Sequence, residues 1–563
     1  MPSDSPARPD ADASAEAVVD AVVDAVVVGA GFAGVYMLYK LRRLGLSVRG
    51  FETGTGVGGT WYWNRYPGAR CDVESLQYSY SFDEDLQQEW RWSERYPAQP
   101  EILDYIEHAA ERFDLKRDIS FETRIVAAVF DESAGLWRVT TDHGETVSAR
   151  YCIMATGALS AARKPDIEGL DDFVGEWYHT GNWPHRAVDF TGQRVAVIGT
   201  GSSGIQTIPA IARLAAHVTV FQRTPNFSIP GRNRALADED QQAWKARYAE
   251  HRARAREVGT LYEFSDRGAV QASEAERLAE YERRWANGGV AFVHSFNDLM
   301  INEASNTTAA EFVRAKIHER VRDPEVAEIL SPRDHPLGSK RICVDTDYFE
   351  TYNRDNVELV DVRRDPIERI TATGIRTHGA DHPVDDIVFA TGYDALTGAL
   401  AAIDIRGVGS RTLKDKWAGG PRSYLGLMSA GFPNLFVVTG PGSPSVLVNM
   451  AVGIEQHVDW IADCLEHLRA RGLTRIDADA AAEEGWGEHV DAAAQRTLFP
   501  RANSWYTGAN IPGKPRRFML YVQKIGIYRK ECDTVAQEGY RGFHLSRVDA
   551  IPSTPQPSSV CCP

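Results

Sequence analysis

The sequence predicts an α/β chain of two doubly wound units, the second inserted in the first and carrying a helical insert of its own. Three observations support this. A strand, Gly-rich turn, helix, strand succession occurs twice: apolar Ala25 to Val28 leads into Gly29-Ala30-Gly31-Phe32-Ala33-Gly34, and Val195 to Ile198 leads into Gly199-Thr200-Gly201-Ser202-Ser203-Gly204. Each succession is followed by an apolar run ending in the same tripeptide, Cys152 to Met154 before Ala155-Thr156-Gly157 and Ile387 to Phe389 before Ala390-Thr391-Gly392. Finally, Ala155 lies 126 residues after Gly29 whereas Ala390 lies 191 after Gly199, and the Ala-, Glu- and Arg-rich stretch of about 232–330 reads as helices that supply the excess of 65.

Residues 1–23, mostly Ala, Asp, Pro and Ser up to about position 20, offer no face to bury and are expected to form a disordered lead. After the first turn, a helix with Met37, Leu38, Leu41 and Leu44 on one side stops at Gly45, and the strand Leu46 to Phe51 ends in Glu52. The second unit repeats the plan, with Ile205, Ile208 and Ile211 on its helix and a strand Val218 to Phe221 ending in Gln222-Arg223-Thr224. One GxGxxG is a weak signal; two, each framed by strand and helix, are a strong one. The layout is therefore two Rossmann-like dinucleotide-binding domains: 24–158 with 386–550, interrupted by 159–385, which carries the insert of about 232–330. A flexible tail, 551–563, comes last; its Cys561-Cys562 pair only loosely resembles a lipidation end.

Composition narrows the function. With Asp+Glu 78 against Lys+Arg 62 the net charge is −16, which argues against a nucleic-acid partner that would need a basic face. At 43% hydrophobic and 25% charged the 563 residues form an ordinary globular chain. The densest apolar run, Val18 to Val28, is broken by Asp20 and Asp24, so no membrane span is expected, and without a basic, then apolar, leader the expected location is cytoplasmic. The seven Cys show no CxxC and no metal-ligand spacing, so no metal is expected.

The glycines of each turn (Gly29, Gly31 and Gly34; Gly199, Gly201 and Gly204, with Ser202) permit a tight bend, close approach to a pyrophosphate, and contact of helix with strand. The residue at the end of each second strand separates the two cofactors. Glu52, 23 residues after Gly29, can accept from ribose hydroxyls and would repel a 2′-phosphate, which suits FAD or NAD. Arg223, 24 residues after Gly199 and flanked by Gln222 and Thr224, suits the 2′-phosphate of NADP. Together they imply an enzyme using a flavin and NADPH. Flavin–disulfide reductases share this layout but need a redox Cys pair, and Cys71 stands alone in the first unit. Reduced flavin must then hand its electrons elsewhere, and O₂ is the natural acceptor.

Two further stretches carry a specific resemblance. Phe173-Val174-Gly175-Glu176-Trp177-Tyr178-His179-Thr180-Gly181-Asn182-Trp183-Pro184 matches FxGxxxHxxxW(P/D), and Gly58-Gly59-Thr60-Trp61 through Tyr66-Pro67-Gly68 to Asp72 matches (A/G)GxWxxxx(F/Y)P(G/M)xxxD. The chain resembles the type I Baeyer–Villiger monooxygenases over roughly 24–545. Asn503-Ser504-Trp505-Tyr506 and Gly508 to Gly513 look most like the branch containing phenylacetone and steroid monooxygenases.

The resemblance implies FAD reduced by NADPH, a flavin peroxide formed with O₂, and attack on a small-molecule ketone (cyclic, aryl or steroid-like) to give an ester or lactone. Related enzymes that oxygenate nitrogen or sulfur are the alternative, and a dinucleotide-binding redox sensor is another; oligomeric state, monomer or small homo-oligomer, stays open. That chemistry needs a fixed cation in a dry pocket. Arg341 aligns with the family's catalytic cation, Asp72 with the anion that orients it, and Lys340 with a second contact to the 2′-phosphate. His179 is expected to couple NADP binding to domain movement, beside the packing anchor Trp183 and the motif residues Phe173 and Gly175. Gly59, Thr60 and Trp61 are placed near the flavin, where Trp61 could equally fill core. Trp505 is expected in a loop that closes over substrate and NADP, and the turn Gly440 to Pro444 either presents backbone N–H groups to the flavin or is a plain loop.

Overall fold

The computed structural model describes residues 19–547; the lead up to 18 and the Cys561-Cys562 tail lie outside the described residues. The first unit is an eight-stranded sheet. Its central strands Val19–Val28, Val48–Phe51 and Thr146–Met154 run parallel, with Val26 opposite both Arg49 and Cys152. The antiparallel strands Ile125–Asp131 and Leu136–Thr141 extend it on one side, Ile119–Ser120 on the other. Late in the chain Asp404–Arg406 and Leu435–Val437 return to this same sheet.

The second unit is a five-stranded sheet, wholly parallel, in the order Val357–Asp361, His217–Gln222, Arg194–Ile198, Asp386–Phe389, Glu176–His179. Such a sheet, covered on both faces, calls for continuous apolar strands, and Val195, Val197, Val218, Val220, Ile387 and Val388 are all fully buried. The stretch of about 232–330 is helical, with helices Asp238–Lys245, Tyr248–Val258, Glu274–Asn287, Glu303–Arg320 and Pro324–Leu330. The chain leaves it through Cys343–Asp345, which pairs with Ser228–Pro230.

Two expected boundaries move. The sequence pattern puts the strand Asp386–Phe389 in the first unit, yet it pairs on both sides with strands of the second, so the crossing back falls after the Ala390-Thr391-Gly392 turn. The expected disordered lead is also too long: the first strand starts at Val19, where Val19 and Asp20 pair with Thr146 and Val147 ahead of a bulge before Val23. Among the described residues no helix is long and apolar enough to cross a membrane.

Both Gly-rich turns are constructed alike. Gly29 and Gly199 hold φ of +102° and +108°, and a Cβ there would lie 2.6 and 2.5 Å from the carbonyl oxygens of Ala155 and Ala390. The repeated tripeptide is thus the floor against which each turn folds. Gly34 and Gly204 bring each helix onto its strand so closely that a Cβ would fall 1.8 and 2.1 Å from the carbonyl oxygens of Gly29 and Gly199. Helix Phe32–Arg43 then buries Met37, Leu38 and Leu41 completely, worth about 1.5–3 kcal/mol each.

Gly34→Ala should cost at least about 2 kcal/mol, because backbone must move to admit the methyl. Gly201→Ala, whose Cβ meets nothing within 4 Å, should leave the melting temperature unchanged when both variants carry FAD and no NADP is added. Differential scanning calorimetry of the two variants checks this contrast.

Candidate active site

The first turn faces a second glycine-lined surface. A Cβ on Gly31 would sit 3.3 Å from the Cα of Gly59, itself at φ +53°, so glycines from the turn and from the loop after Glu52 form a cradle without side chains. Thr60 is exposed at the start of the single helical turn Thr60–Trp63. The Glu52 carboxylate is buried and accepts from the backbone N–H groups of Ala30 at 2.8 Å and Gly54 at 2.9 Å. Each oxygen keeps a second lone pair for a ribose hydroxyl. These residues fit the ADP half of FAD. Trp61 is buried, donates to the Tyr78 hydroxyl at 3.1 Å, and accepts from Gln99 at its carbonyl, so it anchors the loop.

At the second turn the middle glycine, Gly201, faces open space at the N-terminus of helix Ser202–Ala212. Backbone N–H groups and the helix dipole make that position suited to a pyrophosphate. Arg223 is exposed just beyond, and Thr224 accepts from Thr200 at its carbonyl. Burial lowers the pKa of the Lys340 ammonium, Asp334 opposes this, and the charge of Arg223 adds to the lowering. Among the described residues neither cation has a carboxylate at ion-pair distance. Two neighbouring cations of this kind suit a dianionic 2′-phosphate.

Between the cradles Asp72 and Arg341 meet, although 269 residues separate them in the chain. Arg341 Nε donates to Asp72 Oδ2 and Nη2 to Oδ1, both at 2.7 Å, and Nη1 donates to the Val446 carbonyl at 2.7 Å. The pair is mostly covered, with side chains 27% and 21% exposed. Burial alone would lower the pKa of the guanidinium. The charge and hydrogen bonds of Asp72 outweigh it and hold Arg341 well above its ordinary value, with Tyr506 and Tyr262 adding to the effect. Burial pushes the Tyr506 hydroxyl up to about 12, against the Arg341 charge.

The structure adds residues that sequence reasoning missed. Tyr262 comes from the helical insert and Tyr506 from the C-terminal segment, and no local pattern marks either. The Val446 carbonyl is equally silent in sequence. Asn226 bridges the Arg341 carbonyl, at 3.4 Å, and the Cys343 thiol, at 3.2 Å. Trp505 packs on Tyr506, ring centroids 4.4 Å apart, in an apolar cluster that includes Val446 and Phe518. The turn after Leu435–Val437 is partly bonded within the protein. Its Gly442 N–H donates to the Met519 carbonyl and its Ser443 N–H to that of Gly440, and prolines have none, so its amides are largely committed within the protein.

The connection between the units is buried from Tyr178 to Gly181 and at Trp183, and exposed at Val174, Glu176 and Trp177. Gly175 admits no side chain because a Cβ would lie 2.1 Å from the Asp385 carbonyl, with the Phe173 ring at 2.7 Å. Trp183 is 4% exposed, stacks beside Tyr178, and donates its backbone N–H to the Trp63 carbonyl of the first unit. His179 Nδ1 accepts from the Gly181 N–H at 3.0 Å, which leaves Nε2–H to donate to Thr391 Oγ1 at 3.2 Å. Burial lowers its pKa to about 4. A neutral, doubly bonded ring on this linker fastens the second unit's Ala-Thr-Gly turn.

Two dinucleotide turns with a covered guanidinium–carboxylate pair between them define an oxidoreductase that works with a flavin and a nicotinamide. A family model described as pyridine nucleotide-disulphide oxidoreductase matches residues 23–252, although Cys71 is a free thiol. The 2-oxo-Delta(3)-4,5,5-trimethylcyclopentenylacetyl-CoA monooxygenase of Pseudomonas putida is 43% identical over 534 residues, covering 92% of this chain and 98% of its own. Acetone monooxygenase (methyl acetate-forming) of a Gordonia species is 43% identical over 525 residues, covering 92% and 98%. The structure of oxidized steroid monooxygenase bound to NADP is 52% identical, covers 94% of this chain and 100% of that one, and superposes with a TM-score of 0.90. The chain belongs to the Baeyer–Villiger monooxygenases and uses FAD and NADPH.

An unfolded histidine takes up its proton near pH 6.5, whereas folded His179 resists until about pH 4. The unfolded state therefore binds more protons in that window, and stability falls as pH drops through it. His179→Gln should lose about 1–2 kcal/mol less stability than wild type between pH 7 and 5. Urea unfolding at the two pH values measures the difference.

Proposed function

We propose that the protein carries out NADPH- and O₂-dependent Baeyer–Villiger oxidation of cyclic, aryl or steroid-like ketones to lactones or esters, with Arg341 as the catalytic cation and Asp72 as its positioning anion. The Arg341–Asp72–Val446 arrangement carries this reading. The breadth of ketone named reflects the relatives, whose names span acetone, cyclohexanone and a steroid monooxygenase.

Bound FAD, once reduced by NADPH, supplies the two-electron activation of O₂. The chain's part is to position and to stabilise charge. A guanidinium has five N–H groups. Two are committed to Asp72 and one to Val446. The other two remain to meet the oxygen of a ketone as negative charge develops there. In a poorly screened pocket that interaction is worth several kcal/mol. Because Asp72 keeps Arg341 charged, the cation stabilises an oxygen anion without giving it a proton. Asp72 also prevents the long side chain from swinging away.

Glu52 and the Gly29–Gly34 turn would hold the ADP half of FAD, with Gly59 and Thr60 across from them. Gly199, Gly201, Ser202 and Gly204 would hold the NADP pyrophosphate, and Arg223, Thr224 and Lys340 the 2′-phosphate. Trp505, packed edge-on against Tyr506, would bring the C-terminal segment over the site as substrate and NADP bind.

Arg341→Ala should still permit reduction of the flavin by NADPH, while ester formation falls by about 10²-fold or more. Stopped-flow absorbance for reduction and gas chromatography for ester track the two steps. A normal ester yield in that variant would place the catalytic cation elsewhere.

A further inference from the structure

The loop that ends in Asp72 does not rest on its own unit. Tyr66 and Ala69 are buried in the hydrophobic core of the second unit, among Ile205, Ile208 and Val195. Gly68, at φ +84°, lies so close to helix Ser202–Ala212 that a Cβ would be 2.4 Å from the Gln206 carbonyl oxygen and 3.5 Å from the Ala210 Cβ. The Gln206 side chain closes this joint from both ends. Its Oε1 accepts from the Tyr66 hydroxyl at 2.8 Å and its Nε2 donates to the Arg70 carbonyl at 3.0 Å. The other side of the loop is fixed to the first unit, where the Cys71 N–H donates to the Pro97 carbonyl and the Gln99 N–H to that of Ala69.

The same helix reaches the other partner of the ion pair. Ser202, in its first turn, lies 3.4 Å from the Cys343 thiol, and Asn226 ties that thiol to the Arg341 carbonyl. The first two turns of one helix thus contact the backbone just before Asp72 and, on the other side, the Cys343 side chain two residues after Arg341. The N-terminus of that helix is where the dinucleotide turn presents its amides.

We propose that Gln206 is a positioning residue that couples NADP binding at the Gly199–Gly204 turn to the alignment of Asp72 with Arg341. A pyrophosphate on the helix N-terminus draws on the dipole and amides of this helix. Any shift of the helix is passed through Gln206 to Tyr66 and Arg70, two residues before Asp72. The coupling is reciprocal: whatever Asp72 contributes to aligning the pair must also appear as a contribution to NADP affinity, transmitted through Gln206. The inference rests on the monooxygenase reading for its catalytic meaning, but its test needs only bound NADP⁺.

The test is a double-mutant cycle on NADP⁺ affinity, measured by calorimetric titration of the FAD-loaded protein. In wild type, Asp72→Ala should weaken NADP⁺ about threefold or more; in Gln206→Met the same change should have no effect beyond error, the signature of coupled sites. Tyr66→Phe removes one hydroxyl from the same joint and should lower the effect of Asp72→Ala in the same direction, which keeps the test open should Gln206→Met fold poorly. A merely structural glutamine would lower the melting temperature while leaving the two affinity losses independent. Independent losses in both backgrounds overturn the coupling whatever the enzyme does with ketones, whereas absence of ester from wild type would instead count against the reaction assigned above.

Discussion

The arrangement depends on one ion pair whose halves come from different units. Asp72 ends a loop of the first unit and Arg341 comes after the helical insert of the second. A carboxylate beside a cation proposed to stabilise charge weakens its field, yet without it a long, flexible side chain would spread over many rotamers. The bidentate fork, with the Val446 carbonyl as a third anchor, fixes the guanidinium plane and leaves a donor on its free side. Fixed position outweighs the lost field because a donor already in place needs no reorganisation when charge develops.

The insertion of one nucleotide-binding unit in another serves this pair. Each unit presents its Gly-rich turn at the C-terminal end of a parallel strand, where open α/β sheets bind ligands. Residues that cross between the units do the joining: Tyr66 and Ala69 in the second core, Gln206 bonded to the Arg70 carbonyl, and Trp183 bonded to Trp63. Few of them are polar on both sides. That mixture of packing and single hydrogen bonds is suited to a joint that has to hold alignment and still shift when cofactor binds.

Legibility in the sequence tracked the range of the constraint. The two turns and their Ala-Thr-Gly floors were readable because steric limits within a few residues dictate glycine, as the clashes at Gly34 and Gly204 show. The boundary at Asp386 was misplaced because an apolar strand before Ala-Thr-Gly looks the same whichever sheet it joins, and only pairing decides. Val19 to Val23, with its Asp20 and Ala21, reads as a continuation of the Ala- and Asp-rich lead, whereas the repeated β-branched Val is the signal of a strand. Asp72 and Arg341 were found through a resemblance, since nothing near either residue announces a partner 269 positions away. Tyr262 and Tyr506 had no such aid. The turn Gly440 to Pro444 is the converse case: the N–H groups of Gly442 and Ser443 are used in folding.

The most direct test is single-turnover oxygenation by Arg341→Lys with the flavin already reduced by NADPH. Lysine keeps the charge but cannot hold both oxygens of Asp72 and the Val446 carbonyl while leaving a directed donor. Fork geometry predicts an ester yield below roughly a tenth of wild type. A yield equal to wild type would show that charge alone suffices and would contradict the role given to the pair.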